Sequence, residues 1–184
     1  MRVAVSMFTF AEAAGRCRCG QSEGRTTETG IYRDADAAWH YLTEIRGVRP
    51  EDVVIFGRSV GASVAARLAT QQRPLALIVE SSFTSVPDIA QEIYPWLPAR
   101  WLSRLSHATR DYVRDVRCPV LIVHSRDDEI VPFHGEAIFA AAPEPRSMLV
   151  LRGSHNDAYV RDERAYLEGL REFLTRFSAP AAPP

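Results

Sequence analysis

No apolar run in this 184-residue chain approaches the roughly 20 residues that a membrane-spanning helix requires. No transmembrane segment is expected. Basic excess is also missing, since 22 Lys and Arg face 23 Asp and Glu for a net charge of -1, which leaves nothing to draw nucleic acid or anionic lipid. Cysteine is scarce: Cys17, Cys19 and Cys118 cannot all pair with one another, and no second close pair or histidine cluster of zinc type follows the first two. Reduced thiols, a cytoplasmic location and no metal or other cofactor are the expectation. Internal repeats are absent too. The one low-complexity stretch, SAPAAPP, leaves a disordered tail over 178–184.

The length suits a single domain over residues 1–177. At its front, MRVAVSMFTFAEAAG imitates a secretory signal, but Ser6 and Thr9 interrupt an already short apolar stretch, and a β-strand is expected there instead. Four later segments, DVVIFG (52–57), LALIVE (75–80), PVLIVHS (119–125) and RSMLVLRG (146–153), are apolar at nearly every position, as strands buried on both faces must be. Helical spacing fills the gaps: 31–47 with Gly47 as its stop, 60–72, 134–142 and 162–177. Alternation of this kind predicts an α/β fold, a mostly parallel sheet with helices on both faces. One connection, about 81–117, is too long for a simple crossover, and its Phe83, Ile93, Tyr94, Trp96, Leu97, Trp101 and Leu102 suggest a lid or a binding wall.

The stretch FGRSVGASVAARLA (56–69) carries Gly57-Arg58-Ser59-Val60-Gly61 between a strand and a helix. A chain that turns so sharply strains the residue at the bend and crowds the positions two before and two after it, where glycine relieves the contact. The bend would lift the Ser59 hydroxyl above the sheet, and it would aim the Val60 amide, at the positive end of the helix, where an oxyanion forms. A serine needs a base, and the base needs something to orient it. After PVLIVHS come Asp127, Asp128 and Glu129; after the next strand comes His155, in GSHND. Both groups lie at the strand ends where the elbow lies, which makes His155 the candidate base. Any of the three acids could reach it. His40, His107, His124 and His134 suit structural or hydrogen-bonding roles better.

Together these phrases resemble the alpha/beta-hydrolase superfamily, and in wording the serine hydrolase branch of the Bem46-like proteins and acyl-protein thioesterases. The resemblance rests on FGRSVGASVAARLA, ESSFTSV, HSRDDEIVP, GSHND and SEGRTTETGIYRDADAAWHYL, and covers about residues 20–177. It implies Ser59 as nucleophile, His155 as base and Asp128 as the orienting acid, because the family's acid directly precedes Glu-Ile-Val-Pro. It further implies cleavage of carboxylic esters or thioesters through an acyl-enzyme, with a small-molecule or acyl substrate. The front departs from the family: no His-Gly loop precedes Ser59, and GRCRCGQSEG replaces the usual phrase. A hydrolase fold lacking its first strands is therefore expected, with DVVIFG left as an open edge prone to self-association unless residues 1–10 pair with it. Such a chain would retain the residues yet turn over slowly, so the competing expectation is a weak or inactive fragment acting as a binding or self-associating module.

Overall fold

The computed structural model describes residues 3–6, 27–96, 98, 103 and 105–177. Cys17, Cys19, Leu97, Trp101, Leu102 and the tail 178–184 lie outside the described residues, and with them the expectation of a disordered tail. Among the described residues five strands form one parallel sheet in sequence order: β1 (Val3–Ser6), β2 (Val53–Arg58), β3 (Ala76–Glu80), β4 (Val120–Ser125) and β5 (Arg146–Leu151). The central β3 and β4 are buried at every position, which accounts for the apolar runs that open LALIVE and PVLIVHS. At the margin, β5 is only partly covered.

Side chains alternate across the strands, so neighbouring residues serve two different cores. Val53, Ile55, Leu77, Val79, Val120 and Ile122 face α1 (Glu28–His40), α2 (Val60–Gln71), α4 (Thr109–Arg114) and α5 (Gly135–Ala141), packing with Trp39, Leu68, Val113 and Ile138. Val54, Ile78, Leu121 and Val123 face the other way, against Phe173, Leu170 and Leu174 of α7 (Glu163–Phe177). Helices thus cover both faces. Among the described residues the remaining α-helices are α3 (Val86–Ile93) and the short α6 (Ala158–Arg161). No helix among the described residues is long and apolar enough to cross a membrane.

Several boundaries differ from the sequence expectation for local reasons. α1 begins before Ile31 because the Thr27 hydroxyl accepts from the Gly30 amide at 3.0 Å and caps it. It also ends sooner, at His40, and the chain winds through a π-helical turn, Tyr41–Ile45, before Gly47 stops it at φ 65°. The helix expected over 162–177 is α7, which begins one residue later, and the short α6 precedes it with Asp162 between the two. DVVIFG is not an open edge: Val3–Ser6 lies beside it, with Val3 opposite Val53 and Ser6 opposite Phe56.

Helix α2 lies close on the sheet because its inward residues are small, with Ala62, Ala65, Ala66 and Ala69 fully buried. The tightest approach is at Gly57, where a Cβ would stand 2.4 Å from the Gly61 carbonyl oxygen and 2.6 Å from both the Ala62 Cα and the Ala65 Cβ. Two of these atoms are backbone, so the helix itself would have to move. Gly57→Ala is expected to lower the melting temperature by about 5–10 °C in a circular-dichroism melt, and an unchanged melt would contradict the packing described.

Candidate active site

Leaving β2, the chain turns into α2 through Ser59, whose φ of 53° and ψ of -125° lie where residues with a side chain rarely sit. Such a conformation costs about 1–3 kcal/mol and persists only when its surroundings hold it. Here the Ser59 amide donates to the Glu80 carbonyl at 2.9 Å, while the Ser59 carbonyl accepts from the Ala62 amide at 3.1 Å and from the Ser82 hydroxyl at 3.2 Å. The side chain is left half-buried at the C-terminal end of the sheet. Val60 opens the helix that follows, so its amide is among the first-turn N–H groups that have no partner within the helix. That amide sits at the positive end of the helix dipole.

The other two predicted residues meet at the same end of the sheet. His155 Nδ1 and Asp128 Oδ2 are 2.7 Å apart, with the Asp128 side chain fully buried and His155 6% exposed. Asp128 Oδ1 accepts from the amides of Ile130 at 3.0 Å and Val131 at 2.8 Å, so the turn after the acid fixes its orientation. Burial by itself would raise the Asp128 pKa. The nearby N–H dipole of His124, with hydrogen bonds from the Val131 amide and from His155, outweighs that and holds it at about 2. At 3.6 Å, His124 Nε2 is too far for a good hydrogen bond to Asp128 and acts as a nearby N–H dipole, while it lies 3.2 Å from the Val131 carbonyl. An ionised Asp128 takes the Nδ1 proton of His155 as its hydrogen-bond partner. The ring is then left with Nε2 as its basic nitrogen.

The two acids beside Asp128 hold the backbone of the histidine loop. Asp127 Oδ2 accepts from the Gly153 amide at 3.2 Å, and Glu129 Oε2 accepts from the His155 amide at 3.0 Å. Sequence reasoning offers Glu129 only as one of three acids within reach of His155, since only the folded loop shows that its carboxylate takes the His155 amide. It also missed Arg58, whose Nη2 donates to the His155 carbonyl, and Glu80, whose Oε1 is 3.2 Å from Arg58 Nε.

The remaining histidines have other partners. His134 Nδ1 accepts from the Thr84 amide at 3.1 Å, and its Nε2 donates to Glu92 at 2.9 Å. His107 is buried with Nδ1 at 2.7 Å from the Ser63 hydroxyl, its amide donating to Glu28, and burial lowers its pKa. His40 is exposed at the end of α1. Among the described residues, no group of three or more His, Cys, Asp or Glu is placed to hold a metal ion. An open groove of about 430 Å³ runs beside α3, lined by Thr84, Asp88, Glu92, Arg110 and His134 among others. Ser59, Asp128 and His155 do not line it.

No family model matches the chain. It is 39% identical over 158 residues to an uncharacterized protein of Mycobacterium tuberculosis, a match covering 85% of this chain and 56% of that protein. It is 34% identical over 159 residues to alpha/beta hydrolase domain-containing protein 17B of Xenopus tropicalis, covering 85% and 53%. The chain thus spans about half the length of the curated relatives it matches. Among solved structures, an alpha-beta hydrolase from Vibrio vulnificus superposes with a TM-score of 0.68 at 20% identity, covering 84% of this chain and 60% of that one. With the parallel sheet, helices on both faces and a strained serine at the strand-to-helix turn, these likenesses show that the chain has the alpha/beta-hydrolase fold.

Proposed function

We propose that the chain is a serine hydrolase that cleaves carboxylic esters or thioesters through an acyl-enzyme on Ser59. The observation that carries this reading is the buried 2.7 Å contact between His155 Nδ1 and Asp128, at the sheet end where Ser59 stands on its strained turn. Ser59 Oγ attacks the acyl carbonyl while His155 Nε2 takes its proton, and Asp128 stabilises the imidazolium that forms. The carbonyl oxygen becomes an oxyanion, for which the Val60 amide is the donor assigned. Collapse of the tetrahedral species breaks the bond to the leaving alcohol or thiol, which takes the proton back from His155. Water, deprotonated by the same imidazole, then releases the acid and frees Ser59.

The acyl chain is placed against the apolar side chains of the long connection, where Ile93, Tyr94 and Trp96 are exposed. Exposed aromatic surface of this kind suits an uncharged hydrocarbon better than a charged substrate group. The chemistry needs neither a metal nor an organic cofactor.

Two expected outcomes test the assignment. A fluorophosphonate probe, which reacts with activated serines, is expected to label the wild-type chain and to lose all labelling in Ser59→Ala. Labelling that survives the substitution would move the nucleophile elsewhere. For the acid, Asp128→Asn is expected to lower p-nitrophenyl ester turnover by about 10³–10⁴-fold, because an amide stabilises neither the correct tautomer nor the imidazolium. Asp127→Asn should stay within about fivefold of wild type, since an amide oxygen can still accept from Gly153. Equal losses at both positions would show that Asp128 is not the orienting acid.

A further inference from the structure

Arg58 is the residue before the elbow serine, and it reaches in two directions. Its register partner across the sheet is Glu80, which is only 4% exposed. Arg58 Nε stands 3.2 Å from Glu80 Oε1, and Tyr166 of α7 donates its hydroxyl to Glu80 Oε2 at 2.8 Å. The carboxylate is thereby held by the Tyr166 hydrogen bond on one side and meets Arg58 as a close ion pair on the other, where Arg58 Nε makes no hydrogen bond. From that anchor, Arg58 Nη2 donates to the backbone carbonyl of His155 and lies 3.5 Å from Asn156 Oδ1. The Tyr159 ring, 5.8 Å from the Arg58 guanidinium carbon, closes the outer side.

His155 lies on a segment without regular secondary structure between β5 and α6, so its own backbone does not fix its position. Three atoms of the residue are held from outside. Asp128 holds Nδ1 and Glu129 holds the amide, and both ties run to the loop after β4. Those contacts fix the imidazole relative to the acid. They do not fix it relative to the serine, which belongs to β2 and α2. The contact from Arg58 to the His155 carbonyl runs to the elbow strand itself, one residue from Ser59.

We propose that Arg58 is a positioning residue that sets the distance between His155 and Ser59 by holding the His155 carbonyl from an anchor on buried Glu80. The inference rests on the assignment of Ser59 and His155 made above. An arginine is required because its planar guanidinium can lie in ion-pair contact with the carboxylate through Nε while Nη2 donates to the carbonyl, whereas a lysine ammonium is a single point on a flexible stem. Glu80 is needed in turn because a guanidinium anchored at one end loses less freedom when its other end binds. A displacement of about 1 Å between base and nucleophile can cost about 100-fold in rate, so the contact acts on the chemical step and leaves ground-state binding nearly untouched.

Replacing Arg58 alone would leave the Glu80 carboxylate buried without its cation, and the fold itself could suffer. The test therefore pairs Arg58→Met with the double variant Arg58→Met/Glu80→Gln, in which the Tyr166 hydroxyl keeps an acceptor and no charge is stranded. The readouts are the rate constant of fluorophosphonate labelling, kcat and KM for p-nitrophenyl acetate, and the melting temperature. The double variant is expected to melt within about 3 °C of wild type, yet to label and turn over about 10–100-fold more slowly, with KM within about threefold. Arg58→Met should be as slow and melt lower, and Arg58→Lys should fall between wild type and the double variant in rate. A folded double variant that labels within twofold of wild type, or that loses KM in place of kcat, overturns the proposal. Should the double variant not fold, Arg58→Lys at the full wild-type rate overturns it equally. A wild-type chain that is not labelled at Ser59 overturns the assignment of the nucleophile as well, which separates that failure from a failure at Arg58 alone.

Discussion

The bend that carries the chain from β2 into α2 constrains everything around it. A serine held at φ 53° is strained by about 1–3 kcal/mol, and the strain is offset by hydrogen bonds to Glu80, Ala62 and Ser82 and by a helix packed down to the Cα of Gly57. The alanines of α2 follow from the same closeness, because any larger residue at Ala62 or Ala65 would push the helix off the sheet. Once the helix lies there, its first amide and the serine hydroxyl share one exit from the sheet. The nucleophile and the oxyanion donor that we propose are thus products of a single turn.

The second support is a run of three carboxylates, Asp127, Asp128 and Glu129, all turned toward the loop of residues 153–155. Burying one ionised carboxylate costs several kcal/mol, so Asp128 needs the donors that surround it: two amides of its own turn and the imidazole of His155. Asp127 is half exposed and carries a lighter share of the loop. Electrostatics and loop geometry therefore have one origin. The charge that orients the imidazole is itself kept ionised by the turn that places it.

Much of this was legible in the amino-acid order because burial on both faces leaves little choice of residue type: β3 is apolar up to Glu80 and β4 up to His124, and the glycine two before the serine is forced by a 2.4 Å approach. What stayed hidden depends on register or on single hydrogen bonds. Arg58 and Glu80 are far apart in the chain and meet only because β2 and β3 align them. Nothing in Asp127-Asp128-Glu129 distinguishes the three acids until the Ile130 and Val131 amides close on one of them, and it was the family resemblance that pointed to Asp128. The start of α1 was misplaced because Thr27, a cap, carries no apolar periodicity. β1 appears in the sheet where the sequence left the edge of DVVIFG in doubt.

An acyl-enzyme on Ser59 is the central claim, and rapid mixing with p-nitrophenyl acetate addresses it most directly. If Ser59 is acylated faster than it is deacylated, p-nitrophenol appears in a burst of about one equivalent per chain. Acid quenching within the burst should then place an acetyl group on the peptide that contains Ser59. Turnover with the acetyl group recovered on another side chain, or with the Ser59 peptide unmodified throughout a full burst, would contradict the account.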